Sequence, residues 1–253
     1  MIKKYEDGSL IEKQSLIEAL EIGEIKSPVI SFIGAGGKTT TIKRLCREYI
    51  EKDIPVVVTT TTHLYNEDKP WFYLGKDLKD AKEILFKYNM IWLGSLNNKG
   101  KMSIPDEQFM HEMINLGYPV LIEADGARRL PLKSPGENEP VYLGETTHVV
   151  NLYGIDSIGK KIKDISFRPE LVASIVDKNV EDLVEEKDLA VLMTDRRAGM
   201  KYIDKNIKYN VILNKVDNYE DNIKAKKVVE YSIDKGFYDI VVVGKNLNNQ
   251  FDC

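Results

Sequence analysis

Val29-Ile30-Ser31-Phe32-Ile33-Gly34-Ala35-Gly36-Gly37-Lys38-Thr39-Thr40 passes from an unbroken apolar run into a glycine turn, and then into Thr39 to Ile50, where Ile42, Leu45 and Tyr49 recur at helical spacing. The order is strand, glycine loop, helix. In such a turn the backbone amides point inward, and the helix N-terminus adds partial positive charge, so the pair suits phosphate. Lys38 supplies a point charge, and Thr39 a hydroxyl able to ligate the magnesium that bridges terminal phosphates. The stretch is shorter than the full G-x-x-x-x-G-K-[ST] pattern, because Phe32 stands where its first glycine belongs. Gly34, Ala35, Gly36, Gly37, Lys38, Thr39 and Thr40 are therefore candidate nucleotide-binding residues, with Lys38 also catalytic.

Working outward, short apolar runs at 56–59, 90–93, 120–124, 149–152, 189–193, 211–213 and 240–243 read as buried strands. A leading helix is expected over 10–21, and further helices over 77–88, 105–117, 168–176 and 220–236. This alternation predicts an α/β fold, P-loop NTPase-like, with a mostly parallel doubly wound sheet and helices on both faces. One domain over 1–253 is expected, with the Pro-, Gly- and charge-rich stretch at 127–165 as a candidate lid or insertion.

Three further clusters carry chemistry. Val120-Leu121-Ile122-Glu123-Ala124-Asp125-Gly126 puts two carboxylates at the carboxyl end of a strand, where open α/β sheets bind ligands, and period-two geometry puts them on one face. Glu123 or Asp125 is the expected magnesium ligand, and both are candidate catalytic groups; the spacing does not choose between them. Thr59-Thr60-Thr61-Thr62-His63 ends another strand, and Thr61 or Thr62 is a candidate metal ligand, although a threonine run also suits plain β propensity. Asn214-Lys215-Val216-Asp217 follows an apolar strand as N-K-x-D, with Gly244-Lys245 behind the next strand. A carboxylate such as Asp217 accepts from the ring N–H and the exocyclic amine of guanine together, a donor pair adenine lacks, while the Lys215 stem can lie over the base. GTP is thus favoured over ATP.

Composition narrows the class. Thirty-six Lys and Arg against forty Asp and Glu give a net charge of -4, so no global positive field exists to hold nucleic acid or a membrane. Cys46 and Cys253 are isolated, which suggests neither a disulfide framework nor a thiolate metal site. With His63, His111 and His148 the only histidines, a metal-delivering GTPase is disfavoured. Met1 to Gly8 is charged and lacks the apolar run of a signal peptide, so a cytoplasmic location is expected.

The residues together resemble one family, the YqeC proteins, described as accessory factors for selenium-dependent molybdenum hydroxylases. The resemblance rests on Ile33 to Thr40, on Val58 to His63, and above all on Ile122-Glu123-Ala124-Asp125-Gly126-Ala127-Arg128 with Pro131-Leu132-Lys133-Ser134-Pro135, continued by Glu137, Glu139 and Pro140. It implies a nucleotide-dependent step, with Mg2+ and GTP or ATP, in assembling or inserting a selenium-modified molybdenum cofactor. A molybdenum hydroxylase is the implied partner.

Arg128, Arg129 and Lys133, with Arg168 as a weaker candidate, are expected to form an anion site for a second substrate beside the nucleotide, and Arg128 is a candidate catalytic cation. The leading expectation is a Mg-dependent NTP hydrolase. The alternative is an ATP-dependent small-molecule kinase or ligase using the same cradle.

Overall fold

In a computed structural model, which describes residues 1–62, 67–96 and 102–245, the chain is built on one ten-stranded sheet. Its order is β2 (Ser9–Glu12), β1 (Ile2–Glu6), β14 (Ile240–Val243), β13 (Lys208–Asn214), β11 (His148–Gly154), β3 (Val29–Gly34), β9 (Val120–Glu123), β4 (Val56–Thr60), β6 (Met90–Leu93) and β5 (Phe72–Tyr73). From β14 to β5 every pairing is parallel, and only the β1–β2 hairpin runs antiparallel along the β14 edge. Two small ribbons stand outside it: β7 (Ser95–Leu96) pairs with β8 (Met102–Ser103), and β10 (Leu132–Lys133) with β12 (Ser166–Phe167).

The central strands are buried on both faces, which explains why they are apolar without alternation. Successive side chains go to opposite sides. Val29, Ile33, Val57, Val120, Ile122, Val211 and Leu213 pack under α3 (Leu78–Tyr88), α4 (Glu107–Ile114), α6 (Pro169–Val176), α7 (Glu186–Thr194) and α8 (Tyr219–Ile233), with the short α5 (Ile162–Ile165) beside them. Ile30, Phe32, Val56, Val58, Leu121 and Ile212 pack under α1 (Leu16–Ala19) and α2 (Lys38–Ile50). The sheet is therefore doubly wound. Among the described residues no helix is long and apolar enough to cross a membrane.

Two element readings change. Residues 189–193, expected as a strand, lie in helix α7, whose start is fixed by a capping box between Glu185 and Asp188. Residues 10–21, expected as one helix, divide into strand β2 and the single-turn α1, capped by Ser15. β1 and β2 are joined through Asp7 and Gly8, both at positive φ, the backbone of a tight hairpin turn. Within 127–165, residues 148–154 form β11, a central strand, while 132–133 form β10 outside the main sheet.

Candidate functional site

The strands' parallel register brings the carboxyl ends of β3, β9, β11 and β13 to one edge: Phe32 lies opposite Glu123, Gly34 opposite Leu152, and Gly154 opposite Asn214. β3 sits where the strand order changes direction, with β4 reached on one side and β11, β13 and β14 on the other, which is the position at which open α/β sheets form a crevice.

The glycine turn there is shaped by close packing. Gly36 and Gly37 hold φ of 87° and 130°. A Cβ on Gly36 would overlap the backbone nitrogen of Gly154, and one on Gly37 would overlap the Asn214 amide. Asn214 Nδ2 donates to Gly36 O at 2.8 Å, so the asparagine of N-K-x-D buttresses the loop. Gly34 N–H donates to Asp125 and Ala35 N–H to Leu152 O, at 2.9 Å each. The next five amides, Gly36 to Thr40, donate to no acceptor among the described residues, and α2 begins at Gly37 without a side-chain cap. They form an uncapped helix N-terminus with its partial positive charge.

Beneath this turn lies a buried ion cluster. Lys38 Nζ donates to Gly34 O at 2.6 Å and faces Asp125 Oδ1 at 3.0 Å. Lys133 Nζ sits 2.9 Å from Asp125 Oδ2 and 2.8 Å from Glu139 Oε2, and donates to Gly126 O at 2.8 Å. Arg168 closes the chain with a two-point grip on Glu139, at 2.8 and 3.0 Å, and a 3.2 Å bond to Ser134 O. The side chains of Lys38, Asp125 and Lys133 are at most 4% exposed. Burial alone would raise the Glu139 pKa, but the hydrogen bonds from Arg168 and Lys133 outweigh it and bring it to about 2.

The two carboxylates of β9 are brought together but occupy different settings. Glu123 accepts from the Thr39 hydroxyl at 2.8 Å, and burial pushes its pKa up against the pull of Lys38 and Thr39. Asp125 is held by two lysines and a backbone amide.

The remaining sequence candidates are placed as follows. Thr40 is exposed on the first turn of α2. Thr61 donates its amide to Glu123 O at 3.1 Å, but its hydroxyl donates to Val141 O at 3.0 Å. Lys215 pairs with Asp156 at 2.9 Å, and Asp217 accepts from the Lys245 amide at 2.7 Å, with Lys245 Nζ 3.2 Å from its other oxygen. Arg128 and Arg168 lie over the Phe167 ring, 4.8 and 4.3 Å from its centre. Arg128, Arg129 and Arg168 all hold positive φ, uncommon for non-glycine residues. His63 lies outside the described residues. Sequence reasoning named Glu139 only as part of the resemblance and missed its role as the counter-ion of Lys133 and Arg168, and it missed Arg196, Arg197 and Lys201, which lie far along the chain but line a cleft behind Ser134.

The class these features define is an α/β protein on a mostly parallel sheet, with a glycine-rich turn at the central strand backed by a buried lysine–carboxylate cluster. The family model described as "YqeC protein" matches residues 30–170, and the chain belongs to the YqeC family. A relative from Escherichia coli (strain K12), "Uncharacterized protein YqeC", is 25% identical over 233 residues, covering 88% of this chain and 89% of its own.

Proposed function

We propose that the protein is a P-loop nucleotide-binding enzyme, a Mg-dependent NTP hydrolase favouring GTP, acting in maturation of selenium-dependent molybdenum hydroxylases or their cofactor. The observation that carries the nucleotide reading is the run of amides from Gly36 to Thr40, without partners among the described residues and with Lys38 at its centre. An anion satisfies those donors together, and they lie on the one turn that also carries a buried lysine and a strand-end carboxylate pair.

The donor set also fits Mg2+. Thr39 and Glu123 would hold it, since their hydrogen bond already joins a hydroxyl and a carboxylate at the start of α2. Bound there, Mg2+ supplies charge neutralisation between the terminal phosphates. Glu123 must be ionised to serve, so its burial-raised pKa makes metal affinity climb as pH rises. Asp125 instead sets the position of Lys38, holding the ammonium at the cradle where it meets phosphate charge. Asn214 fixes the loop, and Asp217 faces the base in the guanine reading.

The role in molybdenum enzyme maturation rests on the family resemblance. The alternative of an ATP-dependent small-molecule kinase or ligase is separated from hydrolysis by its need for an acceptor.

Purified protein is incubated with ATP or GTP, with and without Mg2+, and binding and phosphate release are measured. The expected result is Mg-dependent release, faster with GTP and abolished in Lys38→Ala. Hydrolysis unchanged in Lys38→Ala refutes the cradle assignment.

A further inference from the structure

Two of the four cations expected to hold a second substrate, Lys133 and Arg168, are not available for it. Lys133 is buried between Asp125 and Glu139, and Arg168 is spent on Glu139 and Ser134 O. On the far side of that same segment, however, lies a cleft of roughly 490 Å³ between residues 134–137, α6 and residues 196–202. That volume falls within the range of small-molecule sites.

We propose that this cleft is a binding site for a small organic anion with a flat apolar body. Its cationic side is made by Arg196, Arg197 and Lys201, against Glu137 as its one acidic lining residue. Arg196 and Arg197 are exposed; Arg196 donates through Nη1 to Ile203 O at 3.4 Å, and Asp195 takes the Nε and Nη2 donors of Arg197 with bonds of 3.0 and 2.7 Å, which orients that guanidinium and leaves its Nη1 without a partner among the described residues. Planar guanidinium forks match phosphate and carboxylate oxygens two at a time. The apolar side is made by Leu171, Ile175 and the ring of Tyr202, which is 61% exposed although aromatic.

Ser134, on the wall, is 1% exposed, and its hydroxyl has no hydrogen-bond partner among the described residues. A buried hydroxyl without a partner is uncommon in a settled core.

The wall is also braced in advance. Lys201 Nζ donates to Gly136 O and Glu137 O at 2.6 and 2.9 Å, Tyr202 donates to Glu137 O at 3.0 Å, and Arg168 holds Ser134 O. Preordered walls lower the entropic cost of binding. The bracing also ties the cleft to the cradle, since Ser134 follows Lys133 in the chain and Lys133 contacts the carboxylate that holds Lys38. The proposal goes beyond the nucleotide reading and does not depend on it, because Lys38 forms no part of the cleft.

The test is calorimetric titration of the nucleotide-free full chain with phenyl phosphate, with benzoate as the carboxylate arm and phenol and benzylamine as the neutral and cationic controls. At least one of the two anions should bind, the controls should bind at least tenfold more weakly, and the double variant Arg196→Ala/Arg197→Ala should lose at least tenfold in affinity. Both arginines are exposed, so the double variant should retain the wild-type melting temperature. Lys38→Ala should leave anion affinity within about twofold of wild type, and Lys38→Met, which keeps the buried stem, substitutes if that variant does not fold. Absence of binding by both anions overturns the proposal. So does binding that survives in the double variant but vanishes with Lys38, because the anion would then occupy the cradle, and so does equal binding of phenol.

Discussion

Glu123 and Asp125 are two residues apart and both buried, yet substituting each by its amide should give opposite phenotypes. Asp125 accepts from the Gly34 amide and faces the ammonium groups of Lys38 and Lys133 at 3.0 and 2.9 Å. Asp125→Asn removes the anion from between two buried cations and places amide donors beside them. Breaking a buried pair in this way costs about 3 to 5 kcal/mol. Lys38 keeps Gly34 O, and Lys133 keeps Glu139 and Gly126 O, so the lower end, about 3 kcal/mol, is expected. For a chain of this size that lowers the melting temperature by about 6 to 12 °C. Glu123 differs because burial already disfavours its charge. Glu123→Gln keeps an oxygen for the Thr39 hydroxyl and removes the desolvation penalty, so its stability change should stay below about 1 kcal/mol. Its loss should appear instead in Mg-dependent nucleotide binding. Circular-dichroism melts of both variants, paired with nucleotide titrations with and without Mg2+, measure each effect. Equal melting shifts for the two variants, or a shift under about 2 °C for Asp125→Asn, would refute the division of roles.

Asp217→Asn should weaken GTP binding at least about tenfold and gain XTP, since each hydrogen bond to a charged carboxylate contributes roughly 1.5 to 3 kcal/mol and an amide can donate to the extra oxygen of xanthine. Competition against a fluorescent nucleotide reads both, and equal ATP and GTP affinities that neither nucleotide loses in the variant would reduce N-K-x-D to a loop. Glu139 has its pKa lowered from 4.5 to about 2, so its stabilising contribution is complete above 4.5 and disappears as pH falls from there through 2. Discounted for partial solvent exposure the contribution is on the order of 2 kcal/mol, and in acid unfolding Glu139→Gln should show a flatter pH dependence across that window than the wild type. Gly36→Ala should disable nucleotide binding through steric overlap with Gly154 while conserving charge; wild-type affinity in that variant would show that the turn can move aside.

The central strands and the turn were legible because long apolar runs ending in glycine leave few alternatives. Residues 189–193 misled because five consecutive apolar residues have no period, and a buried helix and a buried strand then look alike. The signal that separates them was upstream, in the Glu185–Asp188 capping box. Asp7-Gly8 likewise announced a hairpin that the helical spacing of Leu10, Ile17 and Leu20 obscured. Of the site, Lys38 and Thr39 could be singled out from the glycine turn between strand and helix, and Glu123 and Asp125 from strand polarity. The fate of Lys133 and Arg168 could not, because it depends on Glu139 folding back between them, a tertiary contact with no local pattern. The cations of the cleft come from the segment between α7 and β13, which no motif marks.

The β1–β2 hairpin joins the sheet only through β14, with Ile2 opposite Val243 and the Gly244 amide donating to Met1 O. On a ribosome the hairpin therefore emerges long before its partner. At roughly 5 to 20 residues per second, it waits on the order of 10 to 50 s with an open edge. Lys3 and Lys4 on β1 are the kind of charged residue that discourages a stray strand from pairing there in the interval. Lys245, which holds Asp217, arrives with β14, so a nascent chain stopped before residue 240 has the glycine turn but neither its sealed edge nor the clamp on Asp217.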